Sequence, residues 1–490
     1  MVGALVSYNT GSTRIKISDS YTNVDFYNAG SGHVGGVVAF SVGAELENVH
    51  ASGNINIFSV NNTGGLIGYS AGETTIKNSY NNTNISCTTG GGYCAGIVGY
   101  QAGVFNISNT YNTGNIHSLG GYAGGIVGFT IGGSQISVID SSYNKGKITG
   151  GSTLGGIIGK SPYNFSIKYC YNKGDIISNS TDFGWIIGYG SSYTTIENCY
   201  NQGSIEGLKT VGGIVGILWM SDVKISNCYN NGNIESFDDN DNYGQIGEIG
   251  GRVDGIISDC YNTGNITGEY QLSDIESFAK ATGGIAGTGD VENSYNYGNI
   301  TLEEENDSSD ITSGITSIGN VTGSINIGNI SYKSNVDISK VGGILSEGTA
   351  NDCYNLGNID ITYVGGVMKL YIGGIVSNSY VSKNNHSKCL INIPSEFDTS
   401  KVFAGLIIGN YDDKDLDVNG VNFNNKYVIK TNSVINNAVS SIKDIKNNNN
   451  EIDNKFGTKV DDFNVLDVLS VINKNNCYKI NSNGDILFKD

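Results

Sequence analysis

The sequence predicts an all-β chain folded as a parallel β-solenoid, or β-helix. It would hold about twelve repeats of roughly 30 residues, closed by a small α+β region at the C-terminus. Two observations carry the prediction. Gly-Gly-Ile-Val-Gly recurs throughout, and each copy is followed after a short gap by Tyr-Asn-x-Gly-Asn-Ile. A clean copy runs from Gly212-Gly213-Ile214-Val215-Gly216 to Cys228-Tyr229-Asn230-Asn231-Gly232-Asn233-Ile234. The composition is rich in Gly, Ile, Val, Tyr, Thr and Asn, with 71 Gly but only 2 Pro in 490 residues. A unit of this size buries no core alone, so neighbouring copies must stack.

Each part of the repeat has a physical role. Ile-Val between glycines reads as a short buried strand, and the glycines permit tight corners and close backbone approach. Asn-x-Gly reads as a turn whose Asn and Gly tolerate positive φ. Asn-Ile begins a second strand. The alternating segment before Tyr, such as Val223-Lys224-Ile225-Ser226-Asn227, reads as a third. Tyr recurs at Tyr80, Tyr111, Tyr143, Tyr171, Tyr200, Tyr229, Tyr261, Tyr295 and Tyr354. In a stacked array these rings form a ladder, and so do the asparagines after them.

The position before Tyr holds Cys170, Cys199, Cys228, Cys260 and Cys353, but Ser79, Thr110, Ser142, Ser294 and Ser324 in other copies. Exchange among Cys, Ser and Thr asks for a small side chain, and no Cys-x-x-Cys marks a metal site. Cys87 and Cys94 flank a Gly-rich stretch and are the expected local disulfide pair. The total of 9 cysteines leaves at least one thiol outside any pairing.

Only 15% of residues are charged and the formal net charge is −18, with Arg14 and Arg252 the only arginines. That balance opposes binding to nucleic acid or to anionic membranes. No apolar run reaches the roughly 18 residues of a membrane-spanning helix, and no signal peptide is visible. Gly3-Ala4-Leu5-Val6-Ser7-Tyr8 already matches the repeat phase, so the chain is expected to begin in mid-repeat, as a piece of a longer protein.

Gly-Gly-Ile-Val-Gly followed by Asn-Cys-Tyr-Asn-x-Gly-Asn-Ile resembles the GLUG motif of bacterial surface proteins. That motif also occurs in non-catalytic regions of some IgA-specific metalloendopeptidase-like proteins. The resemblance spans roughly residues 1–390 and implies an extracellular or cell-surface setting and a passive solenoid. It carries over no catalytic residue: none of His33, His50, His117 and His386 belongs to a His-Glu-x-x-His motif. The boundaries read as repeats over 1–393, a transition over 394–435, and a capping region over 436–490. In the last, Val439 to Lys446 and Asp461 to Ile472 have helical spacing, and Cys477 to Phe488 reads as a closing hairpin.

Repeat length varies mainly between Asn-Ile and the next Gly-Gly, and insertions in one phase gather on one face. Those insertions hold the candidate binding residues Phe237, Asp238, Asp239, Asp241, Tyr243, Tyr270, Asp274, Glu276, Glu303, Glu304, Glu305, Asp307 and Asp310. Their carboxylates suit Ca²⁺ as hard ligands, yet they lack the Asp-x-Asp-x-Asp-Gly spacing. Without that spacing, solvated loops that keep a weakly charged chain soluble are the favoured reading. No catalytic residue, protein-bound metal or other cofactor is expected, and Arg252 reads as an ion-pair partner. The function expected is a monomeric, non-enzymatic adhesin-like spacer or binding scaffold for a glycan or protein, without membrane insertion. Two alternatives stand beside it: the repeat region of a larger surface protease, and a glycan-degrading β-helix enzyme.

Overall fold

A computed structural model describes residues 1–410 apart from short stretches, the longest being 239–243, 272–279, 364–368 and 394–401. Beyond these it describes 425–427, 457–459, 478–480 and 486–488. The chain divides into two compact units, Met1–Glu235 and Ser236–Asp490. Both are parallel β-solenoids, about 11 turns in all, close to the twelve expected. Among the described residues there is no helix. The residues expected to be helical, 439–446 and 461–472, lie outside the described residues.

A coil of the first unit shows how the repeat folds. Its strands are Phe105–Ser108, Tyr111–Asn112, Ile116–Ser118, Ala123–Gly124 and Val127–Ile131. That is two more than the three anticipated. Tyr-Asn and the pair ending in the first Gly of Gly-Gly form ladders of their own, and strands of two residues are too short for alternation to reveal them. The rungs of this coil pair with their neighbours in register: Tyr111 with Tyr143, Ile116 with Ile148, Val127 with Ile158. Identical residues therefore stack, and isoleucine columns fill the interior. Ile107, Ile139, Ile167 and Ile196 form one; Ile116, Ile148, Ile176 and Ile205 form another, all essentially inaccessible. Burying each such side chain contributes about 1.5–3 kcal/mol.

Asn-x-Gly bends at its glycine as expected, closed where Asn144 Oδ1 accepts the Gly146 N–H at 3.2 Å, but the positive φ lies elsewhere. The left-handed residue is the second before Tyr: Asn78, Asn109, Ser141, Tyr169, Asn198, Asn227, Asp259, Asn293 and Asp352, and Asn384 before His386, all have φ between 47° and 56°. Asn and Asp tolerate that region best among residues with a side chain. The glycine of Asn-x-Gly serves close approach instead. A Cβ on Gly146 would overlap the Gly114 carbonyl oxygen of the adjacent coil, and one on Gly328 would overlap that of Gly298.

In the second unit the first strand column runs through Lys280–Gly283, Asp310–Ser313, Ile338–Gly342, Lys369–Gly373 and Val402–Gly405, again parallel and in register. Pairing continues past residue 393 through Ile408–Asn410 and Asn425–Tyr427. Tyr478–Ile480 and Ile486–Phe488 form the antiparallel hairpin that the C-terminal residues suggested.

Candidate functional site

The inner columns are occupied in holding coils together. Asn112 donates through Nδ2 to Asn144 Oδ1 at 2.8 Å, and Asn144 to Asn172 at 2.7 Å. Each also donates to the carbonyl two residues on, as Asn144 does to Gly146 at 2.8 Å. The second unit repeats the pattern from Asn262 through Asn296 and Asn326 to Asn355. These asparagines are buried. Outside them the tyrosines stack face to face: Tyr143 and Tyr171 lie 4.6 Å apart at 6°, Tyr200 and Tyr229 4.8 Å apart at 1°. Burial first, then the neighbouring phenols Tyr143 and Tyr200, push the Tyr171 hydroxyl up to about 12.

The Cys/Ser/Thr column asks for more than small size. Cys170 donates to the Lys168 carbonyl at 3.1 Å and Cys353 to that of Asn351 at 3.1 Å. Ser142 donates to Asp140 at 2.8 Å and Thr110 to Ser108 at 2.9 Å. Each hydrogen bond spans the left-handed residue, so the column selects a short side chain that can donate. Burial raises the thiols of Cys170 and Cys199 well above their ordinary value, and that of Cys353 to about 12. Buried, protonated thiols are poor nucleophiles and poor metal ligands. Cys87 and Cys94 form the expected disulfide.

The column after Ile-Val-Gly behaves differently. In the first unit it reads Phe40, Tyr69, Tyr100, Phe129, Lys160, Tyr189 and Ile217, and these residues pair rung by rung. Beside it stand His33, Tyr93 and Tyr122. Together they form a half-buried aromatic face. Tyr69 and Tyr100 stack at 4.6 Å and 9°, whereas Phe40 and Tyr69 meet edge-on at 71° and Tyr93 and Phe129 are tilted at 43°. Tyr8, exposed at the edge, lies 5.0 Å from Phe40. Lys160 Nζ sits over the Tyr122 and Tyr189 rings at 4.7 and 4.4 Å and donates to the Tyr122 hydroxyl at 3.2 Å. Burial, helped by Tyr69 and Tyr93, pushes the Tyr100 hydroxyl up to about 12. The phenol stays a hydrogen-bond donor across the physiological range.

In the second unit the same motif position holds Arg252, Thr288, Ile318, Glu347 and Asn378, paired in register. The solenoid coil therefore forms without an aromatic residue there. The sequence carries the signal for this face in one motif position, aromatic in most early copies and non-aromatic from Ile217 onward.

The insertion residues are placed as follows. Asp239, Asp241, Tyr243, Asp274, Glu276 and Asp307 lie outside the described residues. Phe237 is exposed on the strand Ile234–Asp238, whose last residue is Asp238. Tyr270 and Glu304 are register partners, and Glu305 ends the strand Ile300–Glu305. Glu303 forms an ion pair with Lys333 on the next coil. Asp310 does not face a surface loop. It is 1% exposed, is the register partner of Lys280 (3% exposed), and accepts a hydrogen bond from Tyr332 at 3.3 Å. Burial pushes its carboxyl up to about 7, against the opposing pull of Lys280 and Tyr332. Arg252 meets Asp254 at 3.0 Å, the ion pair anticipated. Among the described residues no three His, Cys, Asp or Glu side chains converge on a metal position.

Comparison with protein-family models, curated proteins and solved structures gives no match to this chain.

Proposed function

We propose that the protein is a non-enzymatic, adhesin-like repeat scaffold working outside the cell or at its surface, and that the aromatic face of its first unit binds glycan. The observation that carries this reading is the contrast at one motif position. It is aromatic through Phe40, Tyr69, Tyr100 and Phe129, whereas Ile217, Arg252, Thr288, Ile318, Glu347 and Asn378 occupy it in later coils of the parallel solenoid. Rings that folding does not require are available for recognition.

Their chemistry favours a saccharide. A pyranose ring has an apolar C–H face that packs on tilted aromatic rings, and a hydroxyl rim that phenols bind by hydrogen bonds. The rings are held by their neighbours, so little side-chain entropy is lost on binding. The resemblance to GLUG repeats supports the extracellular setting. The test is capture of the full-length chain on an immobilised glycan library. Binding to a defined set of saccharides, reduced by Tyr100→Thr, supports the reading; no capture above background defeats it.

A further inference from the structure

A second concave surface of the first unit lies on the strand after the Asn-x-Gly turn. Asn84, Ser86, Asn115, His117, Lys147 and Thr149, from successive coils, surround a groove of about 280 Å³. No carboxylate lines it, on a chain whose formal net charge is −18.

The groove is rich in donors, and the backbone explains why. Asn84 Oδ1 accepts the Asn115 backbone N–H at 3.0 Å, and Asn115 Oδ1 accepts that of Lys147 at 3.0 Å. Both carboxamide oxygens are thus turned to the next coil; Asn84 Nδ2 donates to Asn54 Oδ1 at 3.5 Å, and Asn115 Nδ2 is the carboxamide donor the lining offers to a ligand. His117 Nδ1 is engaged with Thr149 Oγ1 at 2.8 Å, which orients the ring and reserves Nε2. Lys147 is exposed and supplies the one permanent cation of the lining. The next coil places Asp175 in register beyond Lys147, where its Oδ1 accepts the Ser204 N–H at 3.0 Å.

We propose that this groove binds a carboxylate-bearing sugar, one hexuronate residue at a time. Its volume falls at the small end of ligand pockets, which begin near roughly 300 Å³, so it suits a single ring. One lysine matches one negative charge, whereas a phosphate dianion calls for more cations or a nest of backbone N–H groups, which this strand does not present. The carboxamides, hydroxyls and imidazole match the sugar hydroxyls. The site is separate from the aromatic face, so either assignment can fail without the other.

The chain has 4 histidines, so imidazole resonances of the selectively labelled full-length protein report directly. The probes are glucuronate, glucose and inorganic phosphate at constant ionic strength. Glucuronate is expected to shift the His117 resonance saturably in the millimolar range while His33, His50 and His386 stay in place. Glucose should bind at least about tenfold more weakly, and Lys147→Glu should weaken glucuronate by a similar factor, as loss of a charge-assisted hydrogen bond implies. Unchanged resonances of the other histidines show that the variant is folded; Lys147→Gln replaces it if they move. The proposal is overturned by no shift at His117, by glucose or phosphate binding as well as glucuronate, or by affinity independent of Lys147.

Discussion

Replacing Asn144 by alanine tests the inner ladder at its most connected point. Asn144 makes four hydrogen bonds. It donates to Asn172 Oδ1 at 2.7 Å and to the Gly146 carbonyl at 2.8 Å. It accepts from Asn112 Nδ2 at 2.8 Å and from the Gly146 N–H at 3.2 Å. Alanine removes all four and leaves Asn172 Oδ1 and both Gly146 backbone groups short of partners in the interior. At about 1 kcal/mol net for each bond, the loss is roughly 3 to 5 kcal/mol. Repeat arrays open locally, so a global midpoint is the wrong readout. Amide hydrogen exchange over residues 143–148 is the right one. A loss of that size should speed exchange there by about two to nearly four orders of magnitude. Asn144→Asp is nearly isosteric but sets a carboxylate against the Gly146 carbonyl and Asn172 Oδ1, both acceptors. It should be worse than alanine at pH 8 and less harmful near pH 4, where the carboxyl is protonated. The ladder carries the first ladder bond at Asn81, since the preceding residue in its column is Ala51. A less than tenfold change in exchange for Asn144→Ala would show that the ladder is an ornament of the stacking rather than a cause of it.

Asp310 gives a pH dependence of defined sign. Its folded value of about 7 lies above the ordinary aspartate value of 3.8, so the folded state holds the proton more tightly. The contribution is complete below about 4 and is lost as pH rises through 7, by an amount on the order of 4 kcal/mol. Urea unfolding of the second unit should weaken across that window, and Asp310→Asn should flatten the profile. Cys170, Cys199 and Cys353 should resist alkylation in the native protein at pH 8 and react on unfolding, as burial keeps them protonated; mass spectrometry of the labelled protein decides. Asn198, with φ of 55°, should accept glycine with little change, whereas valine there should cost about 1–2 kcal/mol in the first unit, measured by denaturation.

The architecture was legible because each rung repeats the same chemistry: the isoleucine, tyrosine and asparagine columns follow directly from stacking identical copies. The left-handed corner at Asn198 and its equivalents was harder to see, because Asn-x-Gly is the stronger turn signal and drew the assignment. The donor role of the Cys column was hidden by its size pattern, although Cys170, Ser142 and Thr110 share a donor as well as small volume. Asp310 was grouped with the loop carboxylates by its neighbours in sequence. Nothing local shows that it enters the strand Asp310–Ser313 and turns into the interior beside Lys280. The aromatic face required comparing one motif position between early and late copies.

The central claim is that inner columns fold the solenoid and the outer aromatic column recognises a ligand. The measurement that tests it is saccharide binding and near-ultraviolet circular dichroism on the same preparation of Tyr100→Thr, which installs the residue found at Thr288. Tyr100 has ring neighbours Tyr69 at 4.6 Å, Tyr93 at 5.3 Å and Phe129 at 5.4 Å. Losing them should weaken the first unit by about 1.5–4.5 kcal/mol, at 0.5–1.5 kcal/mol for each of the three aromatic pairs. The account predicts at least a tenfold loss of glycan affinity in a folded protein. Undiminished binding, or a binding loss that only accompanies unfolding, would contradict it.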